Sequence, residues 1–190
     1  MAELSESQNL ALVIVGMIAS SLSILGSSLI IYKTVFSHRG KVLDDTYKRI
    51  LFGMSFFDIF QSTSYGLSQL VVPRDTPGVD YAFGNLTTCT LQGLFSVLGY
   101  SCMFYNGFLS FHYVLKVRYN MSDTMEHKRV EPFIHIISIG YPLLFGIYCL
   151  LTKQYNFAGN KCWIEPYPYG CVENEDIECT RGIEAYTIRM

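Results

Sequence analysis

Charged side chains are scarce in this 190-residue sequence, where Asp, Glu, Lys and Arg make up 16% of the residues. A soluble domain usually has about a quarter of its residues charged. The charges that are present cluster between four long stretches that have almost none. A soluble core would need amphipathic helices to cover these stretches, and the sequence has no room for them. We therefore predict an integral membrane protein that has the lipid bilayer as a partner.

Signatures of enzymes and of nucleic-acid-binding proteins are also missing. The sequence has no Gly-rich phosphate loop, no His-Glu-x-x-His zinc motif and no nucleophile with a base at a recognisable spacing. Its four histidines match no metal-ligand pattern. The formal net charge of −2 leaves no basic excess for nucleic acid. We predict no enzyme activity, no catalytic residues, no metal or other cofactor, and no nucleic-acid partner.

The four apolar stretches predict membrane-spanning helices, because lipid offers no partners for unpaired backbone N–H and C=O groups. The first stretch holds no charged residue, and a helix of its length reaches roughly 34 Å, enough to cross a bilayer. The predicted fold is therefore all-α, a polytopic transmembrane helix bundle that forms one domain over residues 1–190. The predicted spans are residues 10–32, 49–72, 89–116 and 131–152.

Basic residues predict how this bundle is oriented. Nine of the fourteen Lys and Arg residues lie between spans one and two or between spans three and four, or at the span ends that border these segments, namely Lys33, Arg39, Lys41, Lys48, Arg49, Lys116, Arg118, Lys128 and Arg129. Cytoplasmic loops are enriched in Lys and Arg, so both segments are predicted to be cytoplasmic. The N-terminus and residues 153–190 are then extracellular. We expect a multi-pass protein of the plasma membrane.

The predicted orientation places four of the six cysteines outside the cell, where disulfides persist. These four are Cys89, Cys162, Cys171 and Cys179. Three pairings are open to them. Three of the four lie within residues 153–190, which we predict to form a cysteine-rich extracellular loop. Cys102 and Cys149 lie within spans and are expected to pack as small apolar groups.

One glycosylation sequon lies on each predicted side of the membrane. Asn85-Leu86-Thr87 is outside, and Asn120-Met121-Ser122 is in a cytoplasmic segment. Glycans are added to the extracellular side, so Asn85 is the predicted site, although its closeness to the membrane can hinder modification. Asn120 is expected to stay unmodified.

Asp58 is the most informative single residue, because it is an acid that lies about ten residues into span two. A carboxylate near the bilayer centre costs about 2.5 kcal/mol or more, so it should face a polar bundle interior. A functional interpretation is a cation or water site that couples helix positions. A structural interpretation is a hydrogen-bond acceptor for a neighbouring helix, with Ser27, Ser28 or Asn106 as donor. We favour the functional interpretation.

Span three carries several polar residues at helical spacing. Asn106 and Ser110 are four residues apart and share a helix face, as do Tyr105 and His112 at seven apart. Such a face can line a water-filled core, or it can join helices through hydrogen bonds worth about 0.6 kcal/mol each. Tyr105 and Asn106, together with Trp163 of the following loop, are our candidates for a ligand cavity.

Four features in order along residues 10–182 resemble the seven-helix, G-protein-coupled receptor superfamily, in a rhodopsin-like or cAMP-receptor-like form found in unicellular eukaryotes. They are an acid in span two (Asp58), a cysteine at the outer end of span three (Cys89), a proline in span four (Pro142) and Cys162-Trp163-Ile164 in the next loop. The resemblance implies the first four helices of a seven-helix receptor architecture. The loop 153–190 would then lead to a missing fifth helix, which Ala185 to Met190 would begin.

The resemblance also implies roles for single residues. Asp58 would be the acid that couples states, and Cys89–Cys162 the common bridge; Cys171–Cys179 would then close a small acidic loop. The chain departs from the family pattern in two places. Ser27 replaces the usual Asn after glycine in span one, and Phe111-His112-Tyr113 stands where an acid-Arg-Tyr triplet is usual. Our candidates for cytoplasmic coupling are accordingly His112, Tyr113 and Arg118.

The predicted function is that of a G-protein-coupled-receptor-like signal receptor, present as a fragment or a truncated product. An unidentified extracellular ligand would shift a two-state helix bundle. A heterotrimeric G protein is the partner expected of a full-length form. The alternative is a complete four-span membrane scaffold or adhesion protein whose cysteine-rich loop binds a partner. The sequence lacks the paired-cysteine-glycine signature of tetraspanins and a claudin-like first outer loop.

Overall fold

The computed structural model describes residues 6–36, 45–74, 76, 79, 81–168, 171–172, 177–185 and 187. The fold is mostly helical, as predicted. The helices are α1 Glu6–Phe36, α2 Thr46–Leu67, α3 Leu86–Val117, the short α4 Asp123–Arg129 and α5 Glu131–Leu151. A 3₁₀ turn, Ser68–Val71, follows α2, and the strands β1 Tyr155–Phe157 and β2 Cys162–Ile164 form an antiparallel hairpin.

Three stretches of helix are long and apolar enough to cross a membrane: Leu10–Phe36, Leu86–Val117 and Asp123–Leu151. They correspond to the first, third and fourth predicted spans. Within the described residues α2 does not reach the same apolar character. Its second half explains this, since it carries Asp58 and the polar run Gln61-Ser62-Thr63-Ser64.

The polar side chains of α2 are turned toward neighbouring helices. This helix lies between α1 and α3, and its contacts with those two are the most extensive between described elements. Ser55, Ser62 and Ser64 are all buried there. The low hydropathy of α2 therefore reflects contact with protein.

Capping residues decide where α2 and α3 begin. The Asp45 side chain accepts a hydrogen bond from the backbone N–H of Tyr47 at 3.1 Å. Asn85 accepts one from the N–H of Thr88 at 3.0 Å, while Thr88 Oγ1 accepts one from the N–H of Asn85 at 2.8 Å. This reciprocal capping box satisfies two backbone donors that a helix start would leave unpaired.

The hairpin packs on α3 and closes one end of the bundle. In its register Tyr155 pairs with Ile164, and Phe157 with Cys162. Tyr155 is fully buried in an apolar cluster whose other buried members are Val97, Cys149, Ile164 and Ala185. Its hydroxyl donates to the carbonyl of Gly146 at 3.2 Å. Burial raises the pKa of the Tyr155 hydroxyl above its ordinary value.

Two cysteine pairs lie at disulfide distance, and they are the two that the resemblance implied. Cys89, in the first turn of α3, pairs with Cys162 of β2 across a Cα–Cα distance of 5.2 Å. Cys171 pairs with Cys179 across 5.3 Å. The first pair links the start of α3 covalently to the hairpin. Cys149 is free and buried, as expected, and Cys102 is free and half-buried.

Several sequence predictions fall outside the described residues. They concern Arg39 and Lys41 of the first predicted cytoplasmic segment, residues 173–176 of the acidic run, and most of the predicted start of a fifth helix. In that last segment, residues 185 and 187 are described, and the Ala185 side chain is fully buried.

Candidate functional site

Gln92 of α3 anchors the hairpin to the helices. Its side chain is 1% exposed. Its Oε1 accepts from the backbone N–H of Cys162 at 2.9 Å, and its Nε2 donates to the carbonyls of Ser64 at 3.0 Å and Ser68 at 2.7 Å. A buried amide that loses such partners costs about 1–3 kcal/mol. One side chain thus joins α2, α3 and β2 beside the Cys89–Cys162 pair, at what we call the hairpin end.

Lys161, in the turn of the hairpin, places its ammonium between aromatic rings. Its Nζ lies 3.7 Å from the ring centroid of Tyr65 and 5.2 Å from that of Trp163. It also lies 3.5 Å from Ser96 Oγ. Among the described residues no carboxylate lies within ion-pair distance of this ammonium. We call Lys161, Tyr65, Trp163 and Ser96 the lysine cradle.

A groove of about 360 Å³ opens next to the cradle, between α3 and α5. Its walls are mainly aromatic and include Tyr100, Phe104, Tyr141, Pro142, Phe145 and Trp163. The rings of Tyr100 and Trp163 lie 5.7 Å apart between centroids. Trp163 is therefore shared, because it lines the groove and also lies beneath the ammonium of Lys161.

Asp58, halfway along α2, receives two hydrogen bonds from α1. Ser23 Oγ donates to its Oδ2 at 2.8 Å and Ser27 Oγ at 2.6 Å. Ser27 is one of the three donors that the structural interpretation named, whereas Ser28 and Asn106 are exposed. Sequence reasoning missed Ser23, although its spacing of four residues from Ser27 puts both on one face of α1.

The opposite end of the bundle, which we call the polar end, holds a network around Glu131. The Glu131 side chain is 6% exposed. Arg49 of α2 forms a two-point ion pair with it, with Nη2 at 2.7 Å from Oε2 and Nε on Oε1. Thr46 Oγ1 donates to Oε2 at 2.8 Å, and His127 Nδ1 lies 2.9 Å from the same oxygen. His135 Nε2 lies 3.5 Å from Oε1.

A second buried acid, Glu126, joins α3 to α4 at the same end. It is fully buried and contacts His112 Nδ1 of α3. Lys116 Nζ lies 3.0 Å from its other oxygen and also pairs with Asp123. Sequence reasoning named His112 but missed both acids. Glu131 had one signal, since an acid followed by Pro132 begins an apolar span.

The candidate residues for a ligand cavity are not brought together. Trp163 lines the groove. Tyr105 is buried beside α2, where Gly53 leaves room for its ring, and its hydroxyl lies 2.8 Å from His135 Nδ1. Asn106 is exposed on another face of α3. Tyr105 therefore extends the polar network toward the middle of the bundle.

The candidate residues for coupling are also divided. His112 lies inside the polar network, whereas Tyr113 and Arg118 are exposed beside it. The ring of Tyr113 lies 6.2 Å from that of Tyr47 at the start of α2. Asn85, the predicted glycosylation site, is exposed and caps α3. Its modification stays a prediction.

Comparison with known proteins finds no matching family model, curated protein or solved structure. The residues and contacts of the chain itself are therefore the basis for a functional proposal.

Proposed function

We propose that this chain is the ligand-sensing part of a G-protein-coupled-receptor-like membrane protein. The observation that supports this most directly is that two antiparallel helices, α2 and α3, take part in the contacts of both the hairpin end and the polar end. At one end Gln92 of α3 bonds both to Ser64 of α2 and to Cys162 of the hairpin; at the other end Arg49 of α2 and His112 of α3 enter the polar network. A ligand that moves α2 or α3 at the hairpin end also acts on the buried acids.

Four spans, with α2 as the second, are part of the proposal. A helix of 22 residues reaches roughly 33 Å, which matches the hydrocarbon thickness of a bilayer. Since α2 packs between α1 and α3, it shares their membrane depth if they span. Its acid is compatible with that depth because Ser23 and Ser27 donate to Asp58. Polar groups in membranes face partners of this kind.

The polar end is proposed to be cytoplasmic. Lys48, Lys116, Arg118, Lys128 and Arg129 lie at this end, and positive charge is enriched in cytoplasmic segments. The hairpin end, with both cysteine pairs, then lies outside, in the compartment where disulfides persist. Two independent signals agree on this orientation.

Signalling would use the polar network as a latch. In the resting state Arg49 and Glu131 hold α2 against α5. Ligand binding at the hairpin end favours a second packing in which this contact opens, and a heterotrimeric G protein of the cytoplasm recognises the opened end. By the resemblance to this family, Asp58 would couple the two packings. In this chain it would do so through its hydrogen bonds with α1.

The polar latch predicts a gain of basal signalling. Expressed as its whole reading frame with a G-protein dissociation sensor, Glu131→Gln should raise ligand-independent dissociation, because it weakens the resting packing. Glu178→Gln, at an exposed position of the hairpin end, is the matched control and should leave it unchanged. Equal basal signals in wild type and Glu131→Gln at equal surface expression would contradict the latch.

The alternative, a four-span scaffold or adhesion protein, makes a different prediction about the gene. An intact transcript that stops directly after Met190 would favour the scaffold, whereas three further apolar spans would support the receptor. Reporter tags in the two predicted cytoplasmic segments test the orientation. If these segments are accessible from outside the cell, the receptor proposal fails together with the topology.

A further inference from the structure

The lysine cradle has spare hydrogen-bonding capacity. An ammonium has three N–H donors. The acceptor that the described residues offer to Lys161 is Ser96 Oγ, at 3.5 Å, and this hydroxyl already lies at hydrogen-bond distance from Ser64 Oγ. The two aromatic faces stabilise the charge through cation–π contacts. Such a contact leaves the N–H donors available, whereas a carbonyl or carboxylate acceptor would occupy one of them. Lys161 can therefore donate to an incoming acceptor without breaking a strong existing bond.

Charge decides which acceptor fits. A cation would be repelled by Lys161, and a single ammonium neutralises one negative charge. Within the described residues no carboxylate is close enough to pair with it. A charge-assisted hydrogen bond from an ammonium to a carboxylate is about twice as strong as a neutral one. The head group that suits the cradle is one carboxylate.

The groove decides what is attached to that head group. Its walls are rings and a proline, and its volume of about 360 Å³ lies within the range of small-molecule sites. Trp163 connects the cradle with the groove, because its ring lies beneath the Lys161 ammonium and also lines the groove, 5.7 Å from the ring of Tyr100. A molecule with a carboxylate at one end and an apolar body of a few carbons or one ring spans both parts.

We propose that the lysine cradle and the adjoining aromatic groove together bind an amphipathic monocarboxylic acid, with its carboxylate on Lys161 and its apolar body against Tyr100, Phe104 and Phe145. As the ligand class of a receptor, this inference rests on the proposed function; as a binding site, it stands on the geometry alone. The anchored hairpin keeps Lys161 and Trp163 in place, which reduces the ordering cost of binding.

The single tryptophan of the chain makes the site directly observable. Trp163 is the only Trp in the sequence, so the tryptophan fluorescence of the protein purified in detergent reports on this site. The probe is 4-phenylbutyrate, and its primary amide is the uncharged comparison. The acid should change Trp163 fluorescence in a saturable way, at concentrations about tenfold lower than the amide, as expected for one charge-assisted hydrogen bond.

Variants separate the charge from the groove. Lys161→Met keeps the aliphatic stem and should weaken acid binding by about tenfold and amide binding by less, because the amide carbonyl accepts from the ammonium without an opposite charge. Lys161→Arg should retain most of the affinity for the acid. Lys153→Met, at an exposed lysine before the hairpin, is the matched control and should bind as wild type does. Phe145→Ala should weaken binding of acid and amide alike, since it removes part of the wall.

The outcomes distinguish this site from the receptor function. Equal affinities of wild type for acid and amide, or full acid affinity in Lys161→Met, would overturn the carboxylate site. If the variant misfolds, the comparison of acid with amide on the wild-type protein still tests the proposal. Acid binding without any G-protein response leaves the site in place and counts against the receptor. A G-protein response without acid binding counts against the site and leaves the receptor proposal in place.

Discussion

At the hairpin end, a disulfide and the neutral amide of Gln92 join β2 to α2 and α3, whereas at the polar end two ion pairs with buried acids, Arg49–Glu131 and Lys116–Glu126, join α2 to α5 and α3 to α4. A covalent bond keeps its partners together in every conformation. A buried ion pair is favourable while its geometry holds, and strongly unfavourable once one partner leaves. The hairpin end is therefore suited to hold a site of constant shape, and the polar end to change between two packings.

The largest effect is expected from breaking the ion pair at the polar end. Glu131→Leu leaves Arg49 partly buried without its carboxylate and should lower the free energy of unfolding by about 3–5 kcal/mol. Titration with SDS, followed by circular dichroism, measures the loss. The double variant Arg49→Met with Glu131→Leu should recover much of it, because no charge is then left without a partner. A double variant as unstable as the single one would mean that packing, and not charge, holds this end.

A smaller effect is expected at the hairpin end. Replacing Cys89 and Cys162 by Ser should lower the free energy of unfolding by about 2–4 kcal/mol, because the unfolded chain regains freedom. The pair Cys171 and Cys179 is the internal control. It closes a separation of 8 residues instead of 73, so removing it should lower the free energy of unfolding by less. The same SDS titration applies, and equal losses would contradict a role of the longer loop.

The smallest effect is expected between the two ends, at Asp58. Ser23→Ala and Ser27→Ala should each cost about 0.6 kcal/mol, the usual worth of a hydrogen bond between membrane helices. Ser28→Ala, at an exposed position of the same helix, should cost nothing measurable. Asp58→Asn should still insert but change ligand affinity or its sodium dependence in the full-length form. If both stay unchanged, Asp58 is only structural.

The helices were largely predictable, and the reason is local. Three predicted spans, 10–32, 89–116 and 131–152, coincide with helices long and apolar enough to cross a membrane, and their apolar runs are visible without any tertiary contact. The helices extend a few residues beyond some of these runs, since caps such as Asn85 lie outside the apolar part. Span two was placed correctly as a helix but its end was not, because α2 stops at Leu67 and a 3₁₀ turn follows.

The site was less predictable because its residues are far apart in the chain. Lys161 meets Tyr65 across the bundle, and Gln92 meets Cys162; neither pair has a spacing that a periodicity can reveal. The short α4 and the three-residue strands are also too brief to give a pattern of their own. Glu126, which is fully buried within α4, has no feature in the sequence that predicts its burial.

Hydropathy and charge placement alone predicted helices that are apolar enough to cross a membrane and which segments should face the cytoplasm, because lipid and water act on each segment separately. Tertiary structure alone decided which polar side chains meet. It turned the serines of α1 toward Asp58, buried Glu131 against Arg49, and set Lys161 between two rings. These contacts depend on how helices pack against one another, and packing is a property of the whole bundle.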